Sequence, residues 1–530
     1  MRSEDSNTPW WERRTTMVLL TLIAFVPLLW PDIPPMVDLP GHMGRYRIQL
    51  DLATSPFLKQ WYSFDWALIG NLGVDLLIEP LHWLGLGLEP SVKLIVMTIP
   101  PLTVAGFLLV AREVHGRVPP TAMFALPLAF NFPFIFGFVN FALSMALAFI
   151  AFGLWLRMAR TGHLRLRAIV FVPISCAVWV THAFGWGTLG VLAFSAELIR
   201  ALDRGDRFVR ACFRAGINCL PLTPPMVLML VWRGQDPTAQ TGDWFNWQAK
   251  ISWFAMVLRD RWLICDMLSL AVLIIVMLEA LRDKRLTFSR NLAISALFLL
   301  AVFIILPRIV FGSAYADMRL APFMVAVALI AIRPRPETDL RFRRSVAVVA
   351  ALFMVLRLGA NTASFWLFDR AYDRELAALD HVPRGARMMS YVGKDCVTPW
   401  MMHRFEHMPG LAIVRREAFS NDQWVAAGAQ LVRTHFPTGW RYSRDPSQIV
   451  TGPRCRGEVW WPLNRSLAHL PRERFDYVWL IAPRRHDPRL MEGMTEIWRQ
   501  GSSSLWRIDS RAAPAAAADY PIPPRIIRVR

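Results

Sequence analysis

Ten apolar runs, near residues 91–111, 119–136, 138–156, 169–186, 187–201, 209–232, 262–281, 290–307, 319–333 and 344–366, succeed one another, and a shorter run at 17–30 precedes them. Several are long enough to cross ~30 Å of hydrocarbon at 1.5 Å per residue. The shorter ones, 187–201 and 319–333, must borrow flanking residues. With 54% hydrophobic and 19% charged side chains overall, the first two thirds of the chain is too apolar for a soluble core and belongs in a bilayer.

The net charge of +19 raises nucleic acid as a partner. The basic residues are mostly arginines in short clusters between apolar runs, the pattern of cytoplasmic membrane loops, so no nucleic acid is expected. The run at 17–30 follows Arg13 and Arg14, lacks a small-residue cleavage site and ends in Trp30-Pro31-Asp32, which reads as a retained anchor.

One further segment, 67–86, decides the orientation of everything after it. If it spans, the clusters around Arg157, Arg204, Arg282 and Arg341 all face outward, against the positive-inside tendency. Its Asp75, Glu79 and His82 recur at spacings of three and four, giving one polar face on an apolar helix, as an interfacial segment requires. The expected fold is therefore mainly α: a polytopic transmembrane helical bundle of about eleven spans with a small extracytoplasmic α/β C-terminal domain. The N-terminus is expected in the cytoplasm.

Residues 1–368 form the membrane domain, with a long first outer loop at 31–90 broken at Pro40, Pro56 and Pro80 and a Trp-rich second outer loop at 233–261. After about Asp369, glycine, proline and charge rise, and strand-like runs appear at 387–392, 477–482 and 505–508, so 369–511 reads as the extracytoplasmic domain. The tail 512–530 reads as extended or disordered. Cys176, Cys212, Cys219 and Cys265 lie in or beside apolar runs as small buried hydrophobes. Cys396 and Cys455 are the one pair in the polar third and could form a disulfide in an oxidising compartment.

This topology gathers the unusual polar residues of the membrane region at one surface. Asp38 and His42 follow the first span, Asn71 and Asp75 sit on the interfacial helix, and Asn131 and Asn140 flank a Phe-rich turn. His182 lies near the outer end of its run, Arg308 and Arg319 bracket an outer turn with Asp317, and Arg357 lies inside the last span. Charge at such depth is costly and marks a candidate site. A carboxylate there can act as general base on an acceptor hydroxyl, and arginines can stabilise an anionic leaving group.

Each residue also has a plainer reading. Asp38 could cap the helix that starts near Pro40, His42 could be a surface residue, Arg308 and Arg319 could be snorkelling interfacial charges, and Arg357 could pair with a structural acid. The phenylalanines from Phe130 to Phe141 suit a lipid chain or an aromatic belt. His403 and His407 have helical i, i+4 spacing but no acid at the metalloprotease position, so no metal site is assigned. There is no Gly-rich phosphate loop and no nucleophile elbow.

In order and architecture the chain resembles the GT-C superfamily of membrane glycosyltransferases. The likeness is carried by the early outer-loop acid in Val37-Asp38-Leu39-Pro40-Gly41-His42, and, for a bacterial branch, by Asn71-Leu72-Gly73-Val74-Asp75-Leu76-Leu77, Phe136-Gly137-Phe138-Val139-Asn140-Phe141 and Arg319-Leu320-Ala321-Pro322-Phe323. It covers the membrane region well and the C-terminal domain loosely.

The resemblance implies transfer of a sugar from a polyprenyl-phosphate donor to a glycan, glycolipid or protein acceptor on the outer face of a bacterial cytoplasmic (inner) membrane. Asp38 matches the family's early acid, a general base or metal-linked carboxylate. Placement alone suggests Arg308 or Arg319 for the donor phosphate, with His42, Asp75, Asn140, His182 and Arg357 as further substrate-binding candidates. The residue after Asp38 is Leu39, so the acid pair of several relatives is absent and a divalent cation stays an open possibility. The competing readings are a transporter or lipid flippase, which would line a path through the membrane with polar residues, and a non-catalytic envelope scaffold.

Overall fold

The computed structural model describes residues 8–233, 241–310, 313–396, 399–425, 430–452 and 460–522. The membrane region contains α1 (Arg14–Leu22), α2 (Leu39–Asp51), α3 (Gly73–Trp83), α4 (Leu88–His115), α5 (Phe132–Phe136), α6 (Val139–Arg160), α7 (Leu164–Thr181), α8 (Ala183–Asp203) and α9 (Phe208–Asn218). These are followed by α10 (Pro224–Arg233), α11 (Trp247–Ala255), α12 (Leu263–Arg282), α13 (Arg290–Ile305), α14 (Ala316–Ala331) and α15 (Leu340–Leu376). The protein is a multi-pass helical membrane protein. Among the described residues, five helices are long and apolar enough to cross a membrane by length and composition: α4, α6, α7, α12 and the stretch that begins with α15.

Prolines account for most differences from the expected runs. Residues 119–136 form a 3-10 segment, Pro120–Phe130, and then α5, because Pro120, Pro127 and Pro133 each withhold an amide donor. Every residue of that 3-10 segment is buried against α4, α14 and α15, so irregular backbone at this depth is sheltered by protein. The run at 209–232 is likewise broken into α9, a turn at Leu220–Leu222 and α10, at Pro221, Pro224 and Pro225. The runs at 169–186 and 187–201 divide elsewhere: α7 stops at Thr181, and His182, in extended backbone, starts α8.

The segment 67–86 yields α3, whose 11 residues span only ~16 Å. That is too short to cross, and Leu76, Leu77 and Trp83 are exposed while Asp75 is buried.

The C-terminal region is built on a seven-stranded mixed sheet. Parallel pairs join Arg387–Lys394 to its neighbours Ile449–Thr451 and Tyr477–Ile481, and the antiparallel hairpin of Met494–Gln500 and Ser503–Ile508 closes one edge. The helix α15 runs on past residue 369 to Leu376 before the first of these strands. Residues 512–522, expected to be extended or disordered, carry a 3-10 turn at Ala515–Asp519, and His469 and Asp487 hold Tyr520. The rest of the tail, 523–530, lies outside the described residues.

Two joints fasten this domain to the membrane region. The strand Tyr62–Phe64, in the segment 31–90, pairs antiparallel with Val432–Thr434 of the domain. Deeper, Asp260 accepts hydrogen bonds from Arg404, Asn361 at 3.0 Å and Ser364 at 2.8 Å, while Asp266 accepts from Arg357 and from Trp400 Nε1, both at 2.8 Å. Four buried charges here pair off, as buried charges must. Cys396 is disulfide-bonded and the four membrane-region cysteines are free; Cys455, its expected partner, lies outside the described residues.

Candidate functional site

A cavity of about 570 Å³ lies between the membrane region and the C-terminal domain. Asp38, His42, Asn71, Phe136, Phe138, Asn140, His182, Tyr315 and Arg319 line it from the membrane side. The domain adds Glu406, His407, Trp424, Gln430, Asp445 and Trp460.

Asp38 stands at the N-cap of α2, yet its side chain makes no capping hydrogen bond, and the carboxylate faces the cavity instead. Its backbone is fixed by donation from its amide to the Phe136 carbonyl at 2.9 Å. That approach depends on Gly137, whose φ of +109° suits glycine and where a Cβ would lie 2.8 Å from the Asp38 nitrogen. Upstream, Asn131 caps α5 by accepting from the Phe134 amide at 3.0 Å. The Phe-rich turn thus places the acid.

Three carboxylates surround His407. Its Nε2 is 3.9 Å from Asp38 Oδ1 and 4.0 Å from Asp445 Oδ1, and its Nδ1 is 3.5 Å from Asp422 Oδ2. Burial opposes charge on the ring, but Asp422, Asp445 and Asp38 outweigh it and push its pKa up to about 10, so it is an imidazolium at neutral pH. Burial raises Asp38 to about 7 against the pull of His407 and Arg319, which leaves it poised near neutrality. The Trp424 indole lies between His407, at 4.4 Å, and His42, at 4.9 Å between ring centroids. Burial, with Arg45 beside it, keeps His42 neutral.

Arg319, on the first turns of α14, is 8% exposed. Its guanidinium lies 4.3 Å over the Phe138 ring and touches Ser313 Oγ at 3.3 Å, and it has no ion-pair partner among the described residues. A buried, unpaired guanidinium is costly and is ready for an anionic ligand. Tyr315, just before it, takes a left-handed φ of +64° and lines the same wall.

Asn140, in the first turn of α6, accepts from the Val74 amide at 2.6 Å and donates to Asp75 Oδ2 at 2.9 Å and the Asn71 carbonyl at 2.8 Å. It borders the cavity and ties down the start of α3. His182 also borders it; its Nδ1 accepts from the Phe184 amide at 3.1 Å, which leaves the proton on Nε2.

Three candidates lie elsewhere. Asp75 is buried behind Asn140 and paired with Arg45 at 3.0 Å, so it supports the wall without lining it. Arg308 is a third exposed and paired with Asp243 at 3.2 Å. Arg357 pairs with Asp266 inside the joint described above, the structural alternative foreseen for it.

Glu406, His407, Trp424 and Asp445 were not anticipated. The pair His403 and His407 did stand out, but residues 404–409 form turns, so helical spacing has no meaning there and only His407 reaches the cavity. Among the described residues no group of three or more His, Cys, Asp or Glu side chains is arranged to hold a metal ion.

No protein-family model and no curated protein sequence matches the chain. Among solved structures, it is similar to the arabinofuranosyltransferase AftD from Mycobacteria, with a TM-score of 0.47 and 14% identity over 94% of this chain and 40% of that one. It is also similar to ArnT from Cupriavidus metallidurans in the apo state, with a TM-score of 0.45 and 12% identity over 94% of this chain and 98% of that one. The chain therefore spans two fifths of AftD's length and nearly all of ArnT's.

Proposed function

We propose that the protein is an inverting membrane glycosyltransferase that moves a sugar from a polyprenyl-phosphate donor to an envelope acceptor at the outer face of the cytoplasmic membrane. One observation carries this reading: a largely buried carboxylate poised near neutrality and a buried guanidinium with no ion-pair partner among the described residues share one cavity between the membrane region and the C-terminal domain.

In the proposed step an acceptor oxygen attacks the anomeric carbon from the side opposite the phosphate. Asp38 takes the hydroxyl proton, the carbon–oxygen bond to phosphate breaks, and the electron pair leaves with the polyprenyl phosphate, whose charge Arg319 stabilises. A single displacement inverts the anomeric centre. His407 keeps Asp38 ionised. His182 and Asn140 border the sugar, and Phe136, Phe138 and Phe141 exclude water. Asp75, Arg308 and Arg357 act at a distance, by holding the walls.

The prenyl chain has a place to lie. One turn along α8 from His182, Trp186, Gly187, Gly190, Phe194, Leu222 and Phe298 bound an apolar groove of about 560 Å³. A Cβ at Gly187 or Gly190 would meet no atom within 4 Å, so the groove is open there.

Purified protein with radiolabelled donor lipid and host envelope acceptor tests the reading. Asp38→Asn should lower kcat by roughly 10²- to 10⁴-fold with donor binding kept. Arg319→Gln should weaken donor binding and kcat together. Full activity in Asp38→Asn would end the general-base assignment.

A further inference from the structure

We infer that the cavity wall contributed by the C-terminal domain is the acceptor subsite and that it takes the end of a neutral, hydroxyl-rich glycan; this rests on the glycosyl-transfer reading above. The two walls differ in chemistry. Among the described residues lining the cavity, Arg319 is the one Arg or Lys side chain, and it stands on the membrane wall among Phe136, Phe138 and Phe141. The domain wall presents Glu406, Asp445, the Gln430 amide and the Trp424 and Trp460 indoles.

Carboxyl oxygens are chiefly hydrogen-bond acceptors, so Glu406 and Asp445 suit a ligand rich in O–H donors. An indole offers a broad apolar face with a polar edge, matched to the C–H face of a sugar ring and its rim of hydroxyls. Trp460 is half-buried at the cavity edge, with Lys394 4.3 Å over its ring.

Charge selects further. Among the described residues, Asp38, Glu406, Asp422 and Asp445 are answered on this side by His407 and by Lys394, which pairs with Glu406 at 3.2 Å. A phosphate acceptor would bring its charge against Asp38 and Asp445, with no uncommitted cation beside it among the described residues. A neutral glycan pays no such penalty. The donor's phosphate is thereby directed to Arg319, and the acceptor to the opposite wall.

The experiment is linkage analysis of envelope glycans from the host lacking this protein, complemented by wild type or by Asp38→Asn. The expected result is loss of one sugar joined through a glycosidic bond to a carbon of a neutral sugar, restored by wild type alone. A lost sugar joined to phosphate, or to a serine or threonine of a protein, would overturn the acceptor inference and leave glycosyl transfer standing. Unchanged glycans of every kind would overturn the transfer reading itself.

With labelled donor lipid and isolated envelope glycan, Trp460→Ala should raise the acceptor KM about tenfold with kcat within about twofold and donor KM unchanged. Trp460→Phe, keeping an aromatic face, should restore most of it. An equal rise in donor KM would show a general loss of structure and overturn the assignment of this wall.

Discussion

Protonation of one carboxylate sets the pH response. Asp38 must be ionised to accept the acceptor's proton, and burial places its pKa at about 7. Below that value the base is neutral and idle, so kcat/KM should fall with falling pH and rise to a plateau above it. His407, 3.9 Å away and positively charged, holds this pKa down against burial. Removing that charge lets burial dominate, so His407→Gln should move the acidic limb to higher pH as well as lowering the plateau. A pH–rate profile measured across neutrality checks both. Asp38 itself was legible in the sequence, as an acid just beyond the first apolar run. His407 was not, since the contacts that define it come from Asp38, Asp422 and Asp445, which are brought together only by the fold.

Among the elements, the short helix α5 and the glycine that ends it do most to aim the base. At Gly137 an L side chain is disfavoured twice, by a φ of +109° and by the Asp38 backbone 2.8 Å from where Cβ would be. Gly137→Ala should cost ~1–3 kcal/mol in stability and, by shifting Asp38, lower kcat/KM by about tenfold or more. Gly216→Ala, on α9 and outside both the cavity and the apolar groove, is the matched control, since its Cβ meets nothing within 4 Å, and its melting temperature should not fall below wild type. Thermal unfolding in detergent and steady-state rates separate the two.

At this scale hydropathy located the apolar runs but not their breaks. Prolines divide 119–136 and 209–232, and a local cap at His182 sets where α7 ends and α8 begins. The polar face on 67–86 did identify a helix that does not cross, because Asp75, Glu79 and His82 carry a period that a uniformly apolar span lacks.

For the whole molecule, the site exists only where two domains meet. Sequence texture alone marks the C-terminal domain as separate, and nothing in its composition shows that it brings Glu406, His407 and Asp445 to Asp38; long-range packing decides that. The joint responsible runs through Arg404, which lies three residues before His407 and donates to Asp260 and, at 2.7 Å, to the carbonyl of Pro35, three residues before Asp38. Arg404→Met should leave Asp260 buried without its cation and cost ~3–5 kcal/mol.

Below the lowered unfolding temperature the helices stay intact, but the segment carrying His407 loses its tether. The pH limb of the surviving activity should then move upward, as in His407→Gln, and the double variant of both residues should show little additional shift because one charge is being displaced in each case. A variant that melts earlier yet keeps the wild-type limb would reduce this joint to a source of stability and separate it from the chemistry at Asp38.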